Sequence, residues 1–203
     1  MVSKLRIALL PMLLCLPLTA SADEAAQALV VDNTKAVLDA LRANREQVAS
    51  DPQYVQLLVT EKIVPHLDFQ VMTLLVVGKK HWQNADAAQR KTLTDEFRTL
   101  LLRTYSKSLA EYRDQRIEFL PYQPSAKKDR AVVRSKFYPT GGQPVAVDYR
   151  LRNKDGWRIY DIKIDGISLV KNFQSSFAAE IEQSGIDGLI ASLEAKNQVL
   201  ETQ

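Results

Sequence analysis

Apolar residues recur along this chain with two different periods, and the change of period divides it. From Asp23 to about Tyr112 they return every three or four positions, the repeat of helices with one buried face. The segment Ala28–Leu41 puts Val30, Val37, Leu38 and Leu41 on one side. Asp51-Pro52 reads as a helix start, with aspartate as N-cap and proline at the first helical position, and that helix should stop near Pro65. FQVMTLLVVG (Phe69–Gly78) is a third helix closed by a glycine. The fourth is the clearest. Asp86 and Gln89 have the spacing of a capping box, and Leu93, Phe97, Leu100, Leu101, Tyr105, Leu109 and Tyr112 then form one apolar stripe. The opposite side of that helix carries Arg98, Arg103, Lys107, Glu111 and Arg113.

From Gln115 to Asp165 the period is two. RIEFLPY sets Ile117 and Phe119 on one side. RAVVRSKFYP sets Val133 and Phe137 against Arg134 and Lys136. PVAVDYRLR sets Val145, Val147, Tyr149 and Leu151 against Asp148, Arg150 and Arg152, and WRIYDIKID follows. Short, turn-rich links join them, so the pattern predicts an antiparallel meander with one apolar face. The last strand changes phase: Trp157 and Ile159 are odd-numbered, Ile162 and Ile164 even-numbered. A strand cannot do this without an extra residue, which predicts a β-bulge near Tyr160-Asp161 and a bent sheet. Two further helices, about 172–183 and 186–199, are split by Gly185. The fold class is α+β: a curved antiparallel sheet of four to five strands packed against several helices, with the stripe of the fourth helix on its inner face.

The stretch DIKIDGISLVKNF (Asp161–Phe173) crowds Ile167, Leu169, Val170 and Phe173 just past a glycine. Either a packed core or a bound hydrocarbon ligand would absorb that surface. Periodicity alone does not separate a filled core from a lined cavity.

The start of the chain follows neither period. Lys4 and Arg6 precede an apolar run from Ile7 to Leu18, and Ala20-Ser21-Ala22 supplies the small residues of a cleavage site. This is a secretory leader, residues 1–22, and its run is too short to span a bilayer. Cys15 would suit a lipoprotein signal only behind a small residue, and Leu14 stands there. Cleavage after Ala22 leaves residues 23–203 as one domain without cysteine, held together by burial rather than disulfides. It also removes two of the positive charges behind the formal +3 of the whole chain. The pairs Lys79-Lys80 and Lys127-Lys128 are scattered among acidic residues, whereas nucleic-acid binding requires a concentrated basic face.

Catalytic signals are sparse. His66 and Asp68 have the spacing of half a triad, yet no nucleophile elbow accompanies them, and Asp68 equally suits a helix cap or an ion pair. No metal-ligand spacing and no phosphate-binding glycine loop occur. Asp148, Asp161 and Asp165 suit surface or turn duty. Trp157 suits an anchor at the sheet end.

Several runs taken together resemble a known family. VDYRL (Val147–Leu151), GWRIYDIKIDGISLVKNF (Gly156–Phe173) and GIDGLIASL (Gly185–Leu193) are similar to the MlaC family, also called the toluene-tolerance or periplasmic phospholipid-binding family. PHLDF (Pro65–Phe69), GKKHW (Gly78–Trp82) and the Phe97/Tyr105 helix fit its pattern in order. Where many members have Tyr-Arg after Ser-Leu-Val, this chain has Phe173-Gln174, which removes an arginine but keeps the site apolar. The resemblance implies a cone like that of nuclear transport factor two, with an internal apolar cavity. It implies a monomeric, non-enzymatic carrier with phospholipid as cargo, no cofactor and no metal. That carrier would shuttle through the Gram-negative periplasm between an outer-membrane lipoprotein–porin complex and an inner-membrane MCE-domain transporter, keeping the outer membrane's lipids asymmetric. On that reading the acyl-chain walls are Phe97, Leu101, Tyr105, Val133, Phe137, Val147, Tyr149, Ile162, Ile164, Ile167, Leu169 and Phe173. Two other readings remain: a periplasmic adaptor or chaperone with a filled core, and a small hydrolase using His66 and Asp68.

Overall fold

The computed structural model describes residues 22–112 and 114–201. The expected leader therefore lies outside the described residues, apart from Ala22, where the first helix opens. Among the described residues six helices precede the sheet and one follows it. They are α1 (Ala22–Ala43), α2 (Arg45–Ser50), α3 (Pro52–Lys62), α4 (Phe69–Val77), α5 (Lys79–Asn84) and α6 (Ala87–Ala110), with a single 3-10 turn at Val64–His66. The strands are β1 (Arg116–Phe119), β2 (Arg130–Tyr138), β3 (Val145–Asn153), β4 (Trp157–Ile164) and β5 (Ile167–Ser168), and α7 (Leu169–Glu201) closes the chain.

Local chemistry sets the helix ends. The Asp51 carboxylate accepts the Gln53 N–H at 2.9 Å and the Tyr54 N–H at 3.2 Å, with Pro52 opening α3 behind it. Asp86 and Gln89 form the reciprocal box, at 2.8 and 3.0 Å, that starts α6. Gly78 ends α4 at φ 84°, where a side chain would be strained. Gly185, at φ 71° and ψ −174°, breaks α7 into two helical arms, as the glycine between two apolar stripes implied.

The sheet is antiparallel in the order β1-β2-β3-β4-β5. Asp161 stands opposite Arg150 and Ile159 opposite Leu151, so Tyr160 is the extra residue and the bulge falls where the phase changes. The Tyr160 ring meets the guanidinium groups of Arg130 and Arg150, each 5.3 Å from its centroid. Below the bulge, the outer edge of β4 is capped by Leu67, bridged to Ile159. Asp165 (φ 48°) and Gly166 (φ 80°) form a two-residue hairpin turn of the primed kind, and β5 follows it. The joint that reads as strand-to-helix therefore contains a hairpin first.

Burial is divided among three clusters. Ala26 and Val30 of α1 lie on the sheet, against Ala131, Val133, Leu151, Trp157 and Ile159. The stripe of α6 turns elsewhere. Leu93, Phe97, Leu100 and Leu101 pack with α4 and α7 through Met72, Val76, Val170, Phe177, Ile181 and Leu189. The lower half of α1, with α2, α3 and the end of α6, forms the third cluster around Val37, Leu41, Val55 and Val59. An apolar stripe specifies that it will be covered, not by what, and here α4 and the two arms of α7 cover it instead of the sheet. Arg103, on the supposedly solvated side of α6, donates to the Asn197 carbonyl of α7. The side chains of Lys107 and Arg113 lie outside the described residues.

Candidate functional site

The apolar face of the sheet is covered unevenly. At one end α1 seals it: Val133, Leu151 and Ile159 are 1%, 0% and 6% exposed. Cover fails toward the other end, which carries the β2–β3 and β4–β5 turns. Cross-strand register places Ile117, Phe137 and Val145 in one row there, and Phe119, Ser135, Val147 and Ile164 in the next. Apart from the buried Ser135, these side chains are half-buried or exposed. Tyr149 and Ile162 mark the border, half-buried against the sealed cluster.

Tyr149 reports on this space. Burial pushes its phenol above the ordinary tyrosine range, while contacts with Ser135 and Thr34 of α1 pull the other way. The ring nevertheless keeps accessible surface. Tyr105 is similar: half-buried beside the α6–α7 cluster, with its phenol raised by burial.

The twelve residues expected as acyl-chain walls fall into groups. Phe97, Leu101, Tyr105, Leu169 and Phe173 share the helical cluster, where Phe97 meets Phe173 edge-on at 5.5 Å. Val133, Tyr149 and Ile162 share the sheet cluster. Phe137 and Val147 lie on the half-covered part of the same face. Ile164 and Ile167 are exposed at 43% and 67%. Phe97, Leu101 and Val133 are fully packed. Three grooves lie elsewhere and are lined by none of the twelve. One of about 890 Å³ runs between α2, α3 and the ends of α6 and α7, beside Val55, Leu57, Arg103 and Leu200. One of about 550 Å³ lies between α1 and α3, and one of about 240 Å³ lies beside Tyr112 and Asp114.

Sequence reasoning missed Thr34, Ser135 and Phe177. Thr34 lies on the Val30–Val37 stripe at helical spacing, which was the available signal. Phe177 is one turn beyond Phe173 and meets Phe97 at 5.5 Å. Asp161 is a correction. It is 2% exposed rather than a surface or turn residue. Its carboxylate accepts from the Ser168 hydroxyl at 2.8 Å and the Val170 N–H at 3.3 Å, with Arg150 at 3.4 Å. Ser168 in turn accepts the Lys171 N–H at 3.1 Å, so the pair caps α7. The bulge turns a strand aspartate toward the helix start, an event invisible in alternation.

Asp68 is fully engaged: one oxygen accepts the Val71 N–H at 3.1 Å as the cap of α4, the other pairs with Arg152 at 2.6 Å. Both oxygens thus do structural work, one at the α4 cap and one in the ion pair. Asp165 serves its turn by accepting the Ala146 N–H at 2.9 Å. Among the described residues no group of three histidine, cysteine or acidic side chains gathers as a metal site, and no helix is long and apolar enough to cross a membrane.

These features define an α+β protein whose antiparallel sheet turns a charged face outward and an apolar face toward helices, with that face open at one end. The family model described as MlaC protein matches residues 31–195. The toluene tolerance protein ttg2D of Pseudomonas putida is 29% identical over 92% of this chain and 87% of its own length. The intermembrane phospholipid transport system binding protein MlaC of Haemophilus influenzae is 22% identical over 87% and 84%. A phospholipid-binding protein of Ralstonia solanacearum, solved in complex with a phospholipid, is 35% identical with a TM-score of 0.79, covering 87% of this chain and 98% of that one. The chain belongs to the MlaC family.

Proposed function

We propose that this protein is a periplasmic phospholipid carrier. The mature chain, residues 23–203, holds acyl chains between the sheet and the helices. The lipid-bound Ralstonia relative, similar over 87% of this chain, carries the reading. The half-open apolar face supports it. Tyr105, Phe137, Val147, Tyr149, Ile162, Leu169 and Phe173 flank the tails. Phe97, Leu101 and Val133 back them, and Ile164 and Ile167 stand at the mouth.

Two acyl chains hold roughly 30 methylenes, worth on the order of 24 kcal/mol on leaving water. That exceeds the ceiling of non-covalent affinity, but the tails leave a bilayer in which they are already dry. The pocket has only to match the bilayer within a few kcal/mol, which lets docking tip the balance in either direction. The headgroup stays in water, because a buried ion pair costs desolvation. The docking partners are an outer-membrane lipoprotein–porin complex and an inner-membrane MCE-domain transporter, and the traffic keeps the outer membrane asymmetric.

Solvent extraction of the purified protein followed by lipid mass spectrometry tests the carrier. Near-stoichiometric phospholipid is expected. Val147→Glu puts a charge against the tails and should abolish loading while circular dichroism shows the native fold. A wild-type protein that stays empty after mixing with membranes would sink the reading in favour of a filled-core adaptor.

A further inference from the structure

The exposed pair Ile164 and Ile167 does not serve the fold. The two are cross-strand partners on one face of the Asp165-Gly166 hairpin, 43% and 67% exposed. The hairpin is anchored to β3, since Asp165 exchanges two 2.9 Å hydrogen bonds with Ala146, its carboxylate accepting the Ala146 N–H and its N–H donating to the Ala146 carbonyl. It presents two adjacent aliphatic side chains at the end of the sheet where the apolar face opens.

Charge lies along the outer face of the same rim, behind the pair. Lys163 precedes it and Lys171 follows in the first turn of α7. Lys136 lies two strands away on the outer face, opposite Ala146 of β3, and Arg116 and Arg134 complete this end of that face. The acidic side chains here are Glu118, Asp148 and Asp165. Glu118 is held by Tyr138 and Arg116, and Asp165 by the turn. Among the described residues the lysines in ion pairs are Lys35, Lys62 and Lys91; Lys136 and Lys171 keep their charge for an outside partner, while Lys163 and Arg134 share the outer face with the Asp148 that stands between them in register.

We propose that this rim is a contact for the surface of a bilayer containing anionic phospholipid. Ile164 and Ile167 seat at the boundary between headgroups and acyl chains, and the three lysines face lipid phosphates. An aliphatic pair on the inner side of the rim and flexible ammonium groups on its outer side, met end-on, suit a fluid array of phosphates, and a lipid crossing the rim meets the open apolar face directly. The inference rests on the carrier reading only for the identity of what crosses.

The test is co-sedimentation of the mature protein with vesicles of phosphatidylethanolamine and phosphatidylglycerol, compared with phosphatidylcholine vesicles, with bound lipid measured by mass spectrometry on the same preparations. The wild type should prefer the anionic vesicles and lose that preference in high salt. Ile167→Asp and the triple variant Lys136→Glu/Lys163→Glu/Lys171→Glu should each bind about tenfold more weakly or worse. The lysine variant should keep wild-type bound lipid, since no lysine touches the tails. Variants that bind like the wild type overturn the proposal. So does a lipid-loaded wild type that ignores every vesicle, which would make the rim a protein-docking surface and leave the carrier reading intact. A lipid-free protein that still binds anionic vesicles would overturn the carrier reading alone.

Discussion

Tyr149 shows how much one side chain can hold that its spacing does not announce. Alternation places it on the apolar face. Only the fold brings Thr34 and Ser135 to its hydroxyl and encloses the ring. Because its folded pKa is raised above the unfolded value, stability is at its full level below about pH 10 and falls as pH rises from there through the folded pKa. Ultraviolet titration should show Tyr149, with Tyr105, ionising after ordinary tyrosines. Tyr149→Phe should remove its share of the late ionisation, leaving that of Tyr105, and reduce the alkaline loss of stability. If all seven tyrosines ionise together, the enclosed site is absent. Asp68 makes the complementary point. Its sequence neighbour His66 suggested chemistry, and its spatial neighbours Val71 and Arg152 give it structural work.

At the scale of elements, the joint between β4 and α7 is the feature that the strand rhythm alone leaves unresolved. Its polar members Asp161 and Ser168 form a lock, in which strand, hairpin and helix start share one buried carboxylate. Asp161→Ala leaves the Ser168 hydroxyl and Val170 N–H without their acceptor and should cost about 3 kcal/mol. Urea unfolding measures this, and a loss below about 1 kcal/mol would show that the lock contributes little. The helix ends, by contrast, were legible residue by residue: Asp51-Pro52, Asp86 with Gln89, Gly78 and Gly185 each act within a few positions of themselves. The bulge was legible for the same reason, because a change of phase in a period of two has a single local remedy. The Asp165-Gly166 hairpin was equally readable from its dipeptide between isoleucines, a signal that the strong helical pattern following it concealed.

Across the whole molecule, the apolar inventory exceeds what any one layer can bury, and the fold distributes it over three clusters with one end of the sheet left open. A carrier built this way is more stable full than empty. Delipidation by detergent exchange should lower Tm by about 5–10 °C, the shift for a site saturated about a hundredfold above its Kd in a chain of this size. Adding phospholipid back should restore it, and an unchanged Tm would place the lipid outside the folded core. What the sequence determined by itself was everything set by near neighbours: element types, caps, the bulge, the apolar face and the family resemblance. The tertiary structure alone decided which apolar surfaces meet. It laid α1 rather than α6 on the sheet, buried Asp161, and left Ile164 and Ile167 in solvent. The physical reason is that hydrophobic burial has no direction: periodicity says which side of an element must leave water, and only the packed whole says what it leaves water to meet.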